Sequence, residues 1–176
     1  MVLRTVILVP VMYSEADTRE MLSKVPSEYQ ETSAEFWSYV GTKLRSLAKS
    51  ISAVYLIWGS WKMDERAMEI LAFLQKGGTI LQRIQNEGLV DEARAWYLAE
   101  RDPKQGAGRE LLQEARQEIF QALDKMIKSS LGDTQVGVVF YEPSCRPSLD
   151  EDYRVIRMSP IDPLDYLNRN LVLEGL

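Results

Sequence analysis

Hydrophobic positions along the chain follow two rhythms. Over Leu3–Tyr13 and Ala53–Trp58 nearly every residue is apolar, and many are β-branched or aromatic. Strands covered on both faces read this way. Val136–Tyr141 repeats the pattern and predicts a third strand. Tyr153–Met158 mixes two arginines with its apolar residues and is expected as a fourth, at a sheet edge.

Elsewhere the apolar residues recur at spacings of three and four. Phe36, Val40, Leu44, Leu47 and Ile51 form one stripe, and Ala67, Ile70, Leu71 and Leu74 form a second. Leu112, Ala115, Ile119, Leu123 and Met126 mark a long helix ending near Ser130. Shorter helices are expected over Thr79–Glu87 and Asp91–Arg101, separated by Gly88. Ser14 with Asp17, and Thr32 with Glu35, have the form of capping boxes. Asp64 can cap the helix that Gly77-Gly78 stops, and Asp162-Pro163 opens a terminal helix.

The order is strand, helices, strand, helices, strand, strand, helix. It predicts an α/β fold with a mainly parallel sheet of three to four strands and flanking helices. A large helical insertion separates the second and third strands. The 176 residues fit one α/β domain, 1–176, with 62–131 as a helical insert or cap.

Composition changes this picture mainly by exclusion. The formal charge of −5 falls wholly on residues 89–176, and a pI near 4.9 argues against nucleic-acid binding. Thr5–Tyr13 is too short to span a bilayer and has no signal-peptide cleavage pattern, so a cytoplasmic location without membrane attachment is expected. Cys145 is the only cysteine, which rules out an internal disulfide and cysteine-rich zinc motifs. The chain has no histidine, so Ser-His-Asp catalysis, Cys-His catalysis and histidine-ligated metals are excluded. Carboxylates, Lys, Tyr, Ser, Cys and hard oxygen-bound cations remain.

In open α/β sheets, ligands gather beyond the carboxyl ends of the strands. Three loops answer that description. The first carries Tyr13, Ser14, Glu15 and Asp17; the second Gly59, Ser60, Trp61 and Lys62; the third Glu142, Ser144, Cys145 and Arg146. The ligand-binding residues expected are Tyr13, Ser14, Glu15, Ser60, Trp61, Lys62, Glu142 and Arg146, with Tyr13, Ser60 and Glu142 lining one cleft. Each also has a plainer role. Ser14 and Asp17 suit a helix cap, Trp61 a cover on the core, and Glu142 with Arg146 a surface ion pair.

Other features point less clearly to chemistry. Arg146 beside Cys145 would favour its thiolate, but no histidine is present to act as base. Lys104–Arg109 is glycine-rich before a helix but is neither a Walker A nor a Rossmann motif. Asp150-Glu151-Asp152 lacks the spaced ligands of a calcium loop. Trp37, Trp58, Trp61 and Trp96 suit core packing or a dimer interface.

Over a few residues the element order resembles that of the TraB and erythromycin-esterase-like hydrolases. Tyr13-Ser14-Glu15 stands where those proteins carry a histidine after the first strand, and Glu100-Arg101-Asp102 resembles an acidic motif. This chain has no histidine and is short for the group. The resemblance implies at most a member without that chemistry, and no family is assigned on it.

The expected function is a non-catalytic binding protein for a small polar ligand or a protein partner, with a homodimer as one form. Two alternatives stand beside it. One is a divalent-metal carboxylate enzyme of hydrolase type, using Glu15, Asp17 and Glu142. The other is a scaffold acting through its helical insert. No cofactor and no metal site is assigned from the sequence.

Overall fold

The computed structural model describes residues 3–101, 108–149 and 151–174. Five strands form one parallel sheet: β1 (Arg4–Pro10), β2 (Ile51–Ile57), β3 (Ile80–Arg83), β4 (Val136–Tyr141) and β5 (Tyr153–Arg157). Their order across the sheet is β3-β2-β4-β1-β5. The strands read as apolar on both faces are the inner three. Val138, Val139 and Phe140 of β4 are fully buried, with Ile7 opposite Val138 and Tyr55 opposite Val139. β5 takes the expected edge position, exposed from Arg154 to Arg157.

β3 corrects the sequence reading. The stretch 79–86 is not helical: Ile80–Arg83 pairs with Ala53–Leu56 of β2 as the opposite edge of the sheet, and Gly88, expected to separate two helices, lies inside the helix that starts at Glu87. The sheet therefore has five strands, and the stretch 62–131 contains one of them. Two glycines precede this four-residue strand, and its ends are exposed. Such a segment buries too little for a period of two to emerge.

The helices are α1 (Glu15–Met21), α2 (Tyr29–Ser46), α3 (Glu65–Lys76), α4 (Glu87–Glu100), α5 (Gly108–Ser130) and α6 (Pro163–Glu174). Ser14 caps α1 by accepting from the Asp17 backbone N–H, and Asp64 caps α3 through Arg66 N. The Thr32–Glu35 capping signal lies inside α2, which begins at Tyr29. Ser33 is instead buried, where Arg66 Nη2 donates to it at 2.7 Å. The α2 stripe ends at Leu44; Leu47 is exposed and Ile51 opens β2.

β1 to β2 to β3 runs one way across the sheet and β3 to β4 runs back. Right-handed crossovers then place α2 and α3 on one face and α4 and α5 on the other. α2 packs on α3, α4 packs on α5, and α5 lies along β2. The Tyr55 hydroxyl meets Ser130 Oγ of α5 at 2.7 Å. Gly137 makes room for that ring, since a Cβ there would lie 3.0 Å from Tyr55 Cε2. Among the described residues no helix is long and apolar enough to cross a membrane.

Candidate functional site

The carboxyl ends of β1, β2 and β4 meet around one buried carboxylate. Glu142 directly follows β4 and is 0% exposed. Its Oε1 accepts from the Tyr13 hydroxyl at 2.9 Å and from Ser144 Oγ at 3.0 Å. Its Oε2 accepts from Arg94 Nη1 at 3.1 Å. Arg94 projects from α4, and its Nη2 also donates to Asp91 Oδ1, one turn earlier, at 2.8 Å. Asp91 in turn takes the Ser60 backbone N–H at 3.0 and 3.2 Å. The chain Tyr13–Glu142–Arg94–Asp91–Ser60 thus ties three strand-end loops to α4.

Aromatic rings enclose this chain. The Arg94 guanidinium lies 3.6 Å from the Trp61 ring centroid, a cation–π contact strengthened by partial burial. The Trp58 indole N–H donates to the Trp61 carbonyl at 2.6 Å, and the Tyr13 ring sits 6.1 Å from both tryptophans. Tyr29 of α2 donates to the Tyr13 carbonyl at 2.6 Å. Trp58 and Trp37 are core residues, whereas Trp61 and Trp96 are half-buried.

Burial sets the electrostatics. It pushes Glu142 up to about 7, although Arg94, Tyr13 and Ser144 all pull the other way. Tyr13 is raised well above 10 by burial and by the charge of Glu142, so its hydroxyl remains a donor. Burial also raises Asp91, but the Ser60 N–H and Arg94 outweigh it and hold that carboxyl below its ordinary value. Cys145 is fully buried, and burial together with Glu142 raises its thiol well above 9.0. A thiol held protonated is a poor nucleophile.

Gly59 allows the arrangement. A Cβ there would come 2.2 Å from Asp91 Oδ1 and 2.9 Å from Asp91 Cγ. Gly59→Ala should therefore expel the Asp91 side chain from the Ser60 N–H and from Arg94. A stability loss of about 1–3 kcal/mol by urea titration is expected, as for unpaired buried polar groups. A loss indistinguishable from zero would show that Asp91 has another place to go.

The expected site residues divide into three groups. Tyr13, Ser60, Trp61 and Glu142 gather in or against the buried chain. Ser14, Glu15 and Lys62 line an adjoining cleft of about 590 Å³ between the β1–α1 and β2–α3 connections, with Asp17, Asp64 and Arg66. There Glu15 bonds Arg19 and Gln30, and Arg66 forks onto Asp64. Arg146 belongs to neither group. It does not pair with Glu142, which is spoken for by Arg94; instead its Nη2 lies 4.0 Å from Asp162 and 3.9 Å from Asp165.

The metal-carboxylate alternative loses its central ligand, because both Glu142 oxygens accept protein donors and neither is exposed. Among the described residues no group of three or more His, Cys, Asp or Glu is placed to hold a metal ion. Lys104–Ala107, Asp102 and Asp150 lie outside the described residues. Asp152 meets Lys128 at 3.6 Å. A larger cleft of about 640 Å³ lies between β3 and α5, lined by residues such as Gln82, Ile84, Ala122 and Met126. None of the buried ionisable groups lines it, so size alone does not make it the site.

Arg94 and Asp91 are the residues that strand-end reasoning misses. The available signal was Arg94's position among Val90, Ala93 and Tyr97, the inward stripe of α4. A charge on an apolar stripe needs a buried partner. No family model, curated protein or solved structure matches the chain.

Proposed function

We propose that this chain is a cytoplasmic, non-catalytic binding protein that takes a small polar ligand in the cleft between the β1–α1 and β2–α3 connections. The ligand presents an amine or hydroxyl donor to Asp17. One observation carries this reading: Asp17 Oδ2 is shielded from solvent and has no hydrogen-bond partner among the described residues. Burial also raises the Asp17 carboxyl above its ordinary value. An unpaired buried acceptor costs about 1–3 kcal/mol, which a donor from a ligand would offset. Lys62 stands exposed on the same cleft and supplies a positive charge for an acceptor elsewhere on the ligand.

The buried chain supports this role by fixing the loops. Tyr13 precedes Ser14 directly, and Trp61 precedes Lys62, so both rims of the cleft hang from residues that the chain holds. Binding sites held by rigid second-layer contacts lose less entropy on association.

A thermal-shift screen against small amines, amino acids and polyols tests the proposal, since a ligand of the native state raises the midpoint with occupancy. A compound carrying an amine or hydroxyl should raise it, and Asp17→Ala should abolish the shift. Shifts that survive Asp17→Ala would move the site elsewhere.

A further inference from the structure

Pro10, Tyr141 and Arg157 are the last residues of three adjacent strands, β1, β4 and β5. Together with Pro143, Arg146 and Asp162 they line a separate cleft of about 310 Å³. This is again the carboxyl edge of a parallel sheet, where ligands of such folds collect. We propose that this cleft binds the phosphate group of a small phosphate monoester, held between the Arg146 and Arg157 guanidinium groups with the Tyr141 hydroxyl as a third donor.

Both arginines have capacity to spare. Arg157 has no carboxylate partner among the described residues; its neighbour in the cleft is Tyr141. Arg146 is half-exposed and reaches Asp162 and Asp165 only at 4.0 and 3.9 Å, the outer limit of an ion pair. Exposed pairs at such distances contribute little, so an anion can displace them. Guanidinium forks match phosphate oxygens two at a time, and a phosphate has enough oxygens for both forks and a hydroxyl.

The backbone at Arg146 is the second observation. It is the one non-glycine residue at positive φ among the described residues, at φ 40° and ψ 66°. A side chain disfavours that conformation, and Pro147 beyond it favours extended backbone instead. Strained positions of this kind concentrate at binding sites. The loop is held there by Arg116 Nε, which donates to the Ser144 carbonyl at 2.8 Å, and by the Cys145 N–H on the Glu142 carbonyl at 2.9 Å.

Asp162 in the cleft wall, Asp165 beside Arg146, and the net charge of −5 select against a polyanion such as nucleic acid. A single phosphate on a short, uncharged body fits the size of the cleft. Burial pushes Tyr141 up to about 12, which keeps its hydroxyl a donor throughout the neutral range.

The test is a titration of the full chain with inorganic phosphate at fixed ionic strength, followed by thermal shift and by calorimetry. Saturable binding is expected, weakened about tenfold or more by Arg157→Gln and by Arg146→Gln. Arg19→Gln, an exposed arginine on α1, should leave it unchanged. Arg157→Lys serves as a folded control that keeps the charge but loses the fork, and intermediate affinity is expected. Phosphate binding that is absent, or equal in all four variants, overturns the proposal. Acetate binding more tightly than phosphate would overturn the ligand class.

Discussion

Arg94→Met is expected to lower the free energy of unfolding by about 3–5 kcal/mol at pH 8, the cost of breaking a buried charge pair from one side. Methionine keeps much of the aliphatic stem but removes every guanidinium donor and the cation that lies over the Trp61 ring. Glu142 then loses its cation while still fully buried, and must either stay ionised on the Tyr13 and Ser144 hydroxyls alone or take up a proton more readily than it does beside Arg94. Asp91 retains the Ser60 N–H. The loss should shrink below pH 7, because Glu142 already takes up a proton near there and a neutral carboxyl needs no cation. Adding Glu142→Gln should restore more than half of it, since the amide oxygen still accepts from both hydroxyls. Urea unfolding at pH 8 and pH 5.5 checks all three statements. A loss below about 1 kcal/mol at pH 8 would place the pair with the weak surface ion pairs.

The second large effect is in pH dependence. Burial raises Glu142 from an ordinary 4.5 to about 7 in the folded protein. A raised carboxyl binds its proton more tightly when folded, so its contribution to stability is complete below about 4.5. That contribution is lost as pH rises through about 7. The size is about 3 kcal/mol, from about 1.4 kcal/mol for each factor of ten. Glu142→Gln removes the titration while keeping the shape. Wild-type stability minus that of Glu142→Gln should therefore fall by about 3 kcal/mol between pH 4.5 and pH 8. Asp124 runs the other way: burial raises it, but Tyr153 and Lys128 hold it below its ordinary value. It is common to both proteins and cancels in the difference. A difference that rises with pH would mean that Arg94 overcomes burial and holds Glu142 ionised throughout.

The parts of the fold legible in the sequence are those that bury the most. β1, β2 and β4 are covered on both faces, and only unbroken apolar runs satisfy that position. β5 announced itself as an edge through Arg154 and Arg157. β3 did not, because Ile80, Leu81 and Ile84 also fit a helical spacing and the strand is only Ile80–Arg83. Loop convergence followed from the strand ends, but not as one cleft: Tyr13 and Glu142 bond each other out of reach of solvent, and Ser60 is tied to them only through Asp91 and Arg94. The residues joining them could not be read in the same way. Glu142 and Arg94 are 48 positions apart, and nothing local marks which of many helical arginines turns inward. Arg146 shows the opposite failure. Its nearness to Glu142 in sequence suggested a pair, but Arg146 itself is left-handed and its side chain lines another cleft.

The place of β4 in the sheet has a consequence for how the chain is made. β1 and β2 do not touch; β4 lies between them and pairs with both. While the ribosome works from residue 57 to residue 141, β1 and β2 lack the strand that hydrogen-bonds to both in the finished sheet. At ordinary translation speeds that interval lasts roughly 4–17 s, long compared with the collapse of a small chain. Chaperone dependence and susceptibility to aggregation should concentrate in that window. Only once Val136–Tyr141 has been made can β1 and β2 be joined through it, and the same strand brings Glu142 to Arg94 on a helix synthesised earlier.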